Sequence, residues 1–296
     1  MRLVYTENVH DLMLPTGHKF PLGKYDRIVS SLAREHGAML QLGAPASFED
    51  LALVHRADYV AAVQRGTLPA FQIRRLGFPW SESLVQRARR SVGGTLCAVA
   101  WAMHYGAAGH LAGGTHHAFE DRGEGFCVFN DIAVAVRVAQ RDHGVGRVAV
   151  VDLDVHQGNG SAAIFAGDPR VFTLSLHCEK NYPFRKEQSS RDVGLVDGCE
   201  DATYLAALDV ALEEVVAHRP ELVFYQAGVD GLGGDRLGRM ALTHAGLRAR
   251  DQRVFRMVQR LGVPVVVTLG GGYHRVIEES VAAHVGVYEG LVAAFA

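Results

Sequence analysis

The sequence predicts an α/β protein with a mainly parallel central sheet and helices on both of its faces. Three observations carry that prediction. Short apolar runs of strand length alternate with longer amphipathic segments of helical period along nearly the whole chain. Runs such as Val148-Ala149-Val150-Val151 are apolar without a break, as a strand buried on both faces requires. Several of these runs are followed by glycines beside His or Asp, where open parallel sheets build their sites.

In chain order, strands are expected over 3–6, 110–112, 148–152, 171–176, 222–226 and 263–269. Helices are expected over 25–36, 83–105, 130–142, 202–218 and 246–261, where apolar residues recur at helical spacing. The segments 37–48, 66–81 and 178–201 read as loops. No Pro/Gly/Ser-rich linker, composition shift or repeat divides the chain. A single three-layer domain spanning residues 1–296 is therefore expected, long enough for a substantial core.

Composition narrows the function class. Thirty Lys and Arg against 32 Asp and Glu leave a formal charge of −2, which argues against a dedicated nucleic-acid or anionic-membrane binder. Against that balance Arg74-Arg75 and the run 87–90 read as solvated loop and helix faces, and Arg236 as a turn or oligomer-contact residue. Cys97, Cys127, Cys178 and Cys199 are widely spaced without a CxxC pair, which fits a reducing cytoplasm rather than a disulfide framework or thiolate zinc site. The start, Met1-Arg2-Leu3-Val4-Tyr5, turns polar quickly, and no apolar run reaches the ~20 residues needed to span a bilayer. A soluble cytoplasmic protein is expected, its oligomeric state left open.

The chemistry concentrates at Asp152-Leu153-Asp154-Val155-His156, which closes the Val148 run with ligand-type side chains at alternate positions. In extended backbone these point one way, and buried carboxylates need a cation to compensate them. The Leu222 run ends in Ala227-Gly228-Val229-Asp230, which supplies a further carboxylate. Asp154, His156 and Asp230 form a three-ligand set that leaves coordination positions open, the mark of a catalytic metal. Zn2+ is the first choice, and Fe2+, Co2+ or Mn2+ also suit oxygen and imidazole donors. His116-His117, after Gly113-Gly114-Thr115, supply an acid–base pair, with Asp152 available to orient one ring. Gly270-Gly271-Gly272-Tyr273 would carry a phenol over the metal to donate to a developing oxyanion. His10, His18 and Lys19 are candidates for the rim.

His116-His117, Gly125-Phe126-Cys127, Asp152-x-Asp154-x-His156, Gly228-x-Asp230 and Gly270-Gly271-Gly272-Tyr273 occur in the order seen in histone deacetylases. The chain resembles that family from about residue 10 to residue 288. Gln157 and Asn159, together with Gly234-Asp235-Arg236-Leu237-Gly238, are most similar to the class IV deacetylases and their bacterial relatives. The resemblance implies the arginase/deacetylase fold and zinc-dependent removal of acyl groups from the Nε-amino group of lysine. It assigns zinc to Asp154, His156 and Asp230, the catalytic pair to His116 and His117, pairing with His116 to Asp152, and carbonyl polarisation to Tyr273. It further implies a structural K+ at Asp152, Asp154, His156, Ser175 and Leu176, and a substrate channel walled by Gly125, Phe126, Tyr182, Gly271 and Gly272.

The departures are specific. Gln157 and Asn159 replace a His and an Asp found in several relatives, so Asn159 should leave His117 less basic. Pro79 stands where class I relatives carry a rim aspartate that holds the peptide. Class IV relatives remove long fatty acyl groups, so both acetyl and longer acyl substrates are open. The alternatives are an acetylpolyamine amidohydrolase taking small acylated amines, and a non-catalytic acyl-lysine-binding or scaffold protein.

Overall fold

A computed structural model describes residues 2–6, 12–36 and 39–295. Its elements run β1 (Arg2–Tyr5), α1 (Gly23–His36), β2 (Met39–Leu42), α2 (Phe48–Leu51), α3 (Ala57–Arg65), α4 (Ala70–Leu76) and α5 (Glu82–Tyr105). There follow β3 (Ala107–His110), α6 (Asp131–Asp142), β4 (Val148–Asp152), α7 (Asn159–Ile164), β5 (Val171–Cys178) and β6 (Arg191–Leu195). The chain closes with α8 (Asp201–His218), β7 (Leu222–Gln226), α9 (His244–Leu261), β8 (Val265–Thr268) and α10 (Ile277–Phe295). No helix among the described residues is long and apolar enough to cross a membrane.

The eight strands form one parallel sheet in the order β2-β1-β3-β8-β7-β4-β5-β6. Side chains alternate across it, as strand geometry requires. Val148 and Val150, with Leu222, Phe224 and Val266, pack into the core beneath α5 and α6. Ala149 and Val151, with Val223, Tyr225, Val265 and Val267, face the core formed with α8, α9 and α10. Leu222, Val223 and Phe224 are fully buried, each worth about 1.5–3 kcal/mol of burial. The three-layer architecture with a parallel central sheet expected from the sequence is the one observed.

Several boundaries differ from the sequence reading. The strand expected over 110–112 lies earlier, at Ala107–His110. His110 is a core residue held by Thr95 at 2.9 Å and Thr6 at 2.9 Å. The segments read as loops contain β2, α4 and β6, and also missed were the short α2, α3 and α7 and the long α10. β2 and β6 are edge strands with half-exposed residues, so neither needs the unbroken apolar run that marks an interior strand. In α10, Gly286 and Gly290 lower intrinsic helix propensity. Gly290 instead admits α9 closely, since a Cβ there would lie 3.2 Å from Phe255.

The topology also places the site. β3, β8, β7 and β4 are consecutive neighbours in the sheet, although β3 and β4 precede β7 and β8 in the chain. Their carboxyl ends therefore open side by side at a point where strand order reverses, the position at which α/β sheets bind ligands.

Candidate active site

β4 ends at Asp152, so residues 153–157 leave the sheet and the simple extended alternation stops there. Asp154 and His156 nevertheless converge with Asp230, which follows β7. His156 Nδ1 lies 3.0 Å from Asp154 Oδ1 and 3.1 Å from Asp230 Oδ2. All three residues are buried, with Asp230 0% exposed. Asp152 points elsewhere: His116 Nδ1 donates to its Oδ2 at 2.6 Å. The alternating run thus divides between a candidate ligand set and a carboxylate that holds His116.

Two carboxylates and an imidazole buried this closely require a positive charge among them. Burial by itself disfavours protonated His156, but hydrogen bonds to Asp154 and Asp230 and their charges raise it to about 10. Burial, and then the charge of Asp154, push the Asp230 carboxyl up to about 7. A divalent cation meets the same demand while leaving the ring neutral, as ligation requires. The observed donor spacings sit near the roughly 3.3 Å edge of a tetrahedron with ~2 Å metal bonds. The donor set fits a metal.

Glycines make room around these carboxylates. Gly271 N donates to Asp154 Oδ2 at 2.7 Å, and a Cβ at Gly271 would collide with Asp230 Oδ2. A Cβ at Gly228 would collide with Asp154 Oδ2. Gly158 has φ −73°, a backbone any residue adopts, yet its Cβ would strike Asp152 Oδ2 and lie 3.2 Å from His116 Nδ1. Gly158→Ala is therefore expected to cost activity through displaced contacts rather than backbone strain. A loss of about 10-fold or more in kcat, with thermal stability lowered by no more than about 2 kcal/mol, is the expected outcome. Steady-state kinetics and thermal unfolding of the variant check it.

His116 and His117 lie side by side, ring centroids 4.0 Å apart. Gly113 and Gly114, both at φ +75°, let the turn present adjacent rings to one cavity. Asp131 anchors that turn, accepting from Thr115 N at 2.7 Å, Thr115 Oγ1 at 2.5 Å and Gly114 N at 3.1 Å. The two rings have opposite surroundings. Burial disfavours charge on His116, but Asp152 and then Asp154 override it and raise the ring to about 9. Burial, then the charges of His116 and His156, hold His117 well below its ordinary range, against the Asn159 hydrogen bond. His117 Nδ1 donates to Asn159 Oδ1 at 2.7 Å, which leaves its Nε2 as the free acceptor.

His116, His117, Asp154, His156 and Asp230 line a cavity of about 560 Å³ that also takes in Gly125, Phe126, Tyr182, Gly271 and Tyr273. Phe126 adopts a left-handed φ of 67°, a strained conformation for a non-glycine residue. Its ring stands 6.2 Å from Tyr273, and Tyr182 packs 5.1 Å from His117. The Tyr273 ring is partly open to the cavity. Burial, with Tyr25 next, raises its phenol well above 10, so the hydroxyl keeps its proton. Asp235 Oδ2 accepts from Tyr273 N at 2.6 Å and fixes the glycine loop beneath it. Gly272 does not face the cavity; at φ 146° it backs onto Val229. Ser175 and Leu176 lie on β5, where Ser175 pairs in register with Asp152. Lys19 lines the cavity, whereas His18 donates to Gly77 O at 2.8 Å behind Phe78. His10 lies outside the described residues.

Four residues have roles in this geometry that the sequence does not reveal, although Asp235 stands in the motif shared with the class IV relatives. Asp131 and Asp235 act on backbone far away in sequence. Arg250, fully buried on α9, donates to Gly228 O at 2.5 Å and Leu153 O at 3.4 Å. It thereby ties the loop of Asp154 and His156 to that of Asp230 while pairing with Asp251 at 2.8 Å. Leu247, Arg250, Asp251, Val254 and Val258 share one helical stripe, and charge on an apolar stripe was the available sign. Lys24 is buried below the glycine loop, 3.3 Å from His284 Nε2 and 3.5 Å from Gly270 O. Burial lowers it to about 8, against the attraction of Asp230, Asp235 and Asp154.

Fold and site together are those of the arginase/deacetylase class: a parallel sheet whose strand ends carry a buried Asp-His-Asp set that could hold a metal. The chain belongs to the histone deacetylase family: residues 18–288 match the histone deacetylase domain. It is 44% identical to an uncharacterised protein of Picosynechococcus sp., covering 92% of each chain. It is 34% identical to histone deacetylase 2 of Arabidopsis thaliana, covering 89% of this chain and 73% of that one. The crystal structure of an HDAC homolog complexed with SAHA superimposes with a TM-score of 0.83 at 26% identity, over 99% of this chain and 84% of that one.

Proposed function

We propose that the protein is a metal-dependent lysine deacylase of the class IV branch, with Asp154, His156 and Asp230 holding Zn2+ or, in its place, Fe2+, Co2+ or Mn2+. The observation that carries this reading is the convergence of three buried donors at the floor of a cavity that also presents His117 and Tyr273. A cation bound there supplies Lewis acidity to an acyl carbonyl and makes a water easier to deprotonate. Gly125, Phe126 and Tyr182 enclose the aliphatic stem of the substrate and exclude water. The Tyr273 hydroxyl donates to the carbonyl oxygen as negative charge develops on it. His117 Nε2 accepts the proton of the attacking water and returns it to the leaving amine nitrogen. Asp152 holds His116 in orientation beside it as a positive partner. Ser175 and Leu176, with Asp152, Asp154 and His156, offer oxygen donors suited to a structural K+.

The test is metal analysis beside turnover of acetyl-lysine, longer-acyl-lysine and acetylpolyamine substrates. Release of free amine from the lysine series supports the reading. Failure on every acyl-lysine peptide by metal-loaded protein would reject it, in favour of the polyamine amidohydrolase where acetylpolyamine turns over and of a binding or scaffold role where nothing does.

A further inference from the structure

The cavity mouth is basic although the chain as a whole is not. Lys19, Arg74, Arg75, Arg236 and Arg239 all line it and all are exposed. They come from the segment before α1, from α4, and from the loop after β7, so they lie on separate walls. The cavity's carboxylates are Asp154 and Asp230, at its floor and engaged with His156. Glu124 stands nearby but accepts from the Tyr182 hydroxyl and sits between Arg75 at 3.9 Å and Arg122 at 3.8 Å. Among the described residues Lys19 and Arg74 have no carboxylate partner, Arg236 donates only to the Arg275 carbonyl at 3.4 Å, and Arg239 reaches Asp197 at 3.5 Å. With 30 basic and 32 acidic residues overall, this is local concentration rather than bulk surplus.

We propose that the site selects acylated amines whose exposed part is anionic: acyl-lysine flanked by Asp or Glu, in preference to basic tails or acylated polyamines. The inference rests on the deacylase reading and names its substrate class. A cleft rimmed by one sign of charge concentrates ligands of the other sign and speeds their encounter, whereas a polyamine meets repulsion before its amide reaches Tyr273. Arg74-Arg75, read from sequence as a solvated face, becomes a specificity element. Pro79 adds no acid to oppose it.

Matched acetyl-lysine peptides flanked by Asp, by Gln or by Lys test this, together with N-acetylspermidine and N-acetyl-6-aminohexanoate. At low salt the Asp-flanked peptide is expected to exceed the Lys-flanked one in kcat/KM by about 10–100-fold. That ratio should shrink toward one at about 1 M salt, and fall several-fold in the Arg74→Gln/Arg75→Gln double variant. A ratio of one or below, a preference for N-acetylspermidine, or a ratio indifferent to both salt and the double variant would overturn the proposal. Preference for N-acetyl-6-aminohexanoate over every peptide would keep the carboxylate chemistry and assign it to a small molecule. Turnover of the Gln-flanked peptide without charge dependence defeats only this inference, and no turnover of any substrate defeats the deacylase reading with it.

Discussion

Tyr273→Phe is expected to lower kcat by about 100–1000-fold while KM changes little, the signature of a donor used in the transition state. The substitution removes one hydroxyl and keeps the ring. Its packing with Phe126 at 6.2 Å and Phe20 at 6.5 Å should therefore survive, along with the Asp235 bond to the residue's backbone. With the phenol held well above 10, by burial first, the donor proton is in place throughout the neutral range. A His117→Ala variant should show a comparable loss, because Asn159 leaves Nε2 as the ring's working acceptor. Steady-state kinetics on an acetyl-lysine peptide, with circular dichroism to confirm the fold, measure both. Undiminished hydrolysis in both variants would reject these roles.

Asp230→Asn is expected to have the second large effect, on metal content as well as turnover. The amide is nearly isosteric, and its oxygen can still accept from Val155 N, which Asp230 Oδ1 does at 2.9 Å. What disappears is one of two charges facing His156. With a neutral donor in place of a carboxylate, metal affinity should fall by at least about 100-fold and kcat/KM by a similar factor or more. Metal content after dialysis, measured beside activity with and without added metal, checks the prediction. Excess metal should restore part of the activity, since Asp154 and His156 remain.

What the sequence reveals of this fold and site is what has a local signal. β7 is legible because Leu222 to Tyr225 is a continuous apolar run, and β4 because Val148 to Val151 is another. The edge strands β2 and β6 are hidden because Leu40 to Leu42 and Arg191 to Gly194 are part-exposed or exposed, and their sequences, MLQL and RDVGL, carry no such run. The candidate ligand set was legible because Asp154 and His156 share one strand end and Asp230 follows another. The pairing of His116 with Asp152 and of His117 with Asn159 came from the family resemblance, and the structure places each pair within hydrogen-bond distance. Asp131, Asp235, Arg250 and Lys24 were not legible. Each has its consequence for the site through a residue distant in sequence, as Lys24 does on Gly270 across 246 positions and Asp235 on Tyr273 across 38. Long-range hydrogen bonds leave no periodicity to read.

The same contrast explains the mouth. Residues on three separate segments look like ordinary surface cations in sequence, and only their convergence on one cavity gives them a joint consequence. A balanced net charge conceals a local field.

The central claim is that Asp154, His156 and Asp230 hold the metal on which amide hydrolysis depends. The most direct measurement is metal stoichiometry and acetyl-lysine hydrolysis on the same purified sample, before chelation, after chelation, and after return of Zn2+, Fe2+, Co2+ or Mn2+ singly. The account predicts one tightly held metal per chain, loss of activity with its removal, and recovery with at least one of these ions. Full hydrolysis by demonstrably metal-free protein, or unchanged metal content in an Asp154→Asn/Asp230→Asn double variant, would contradict it.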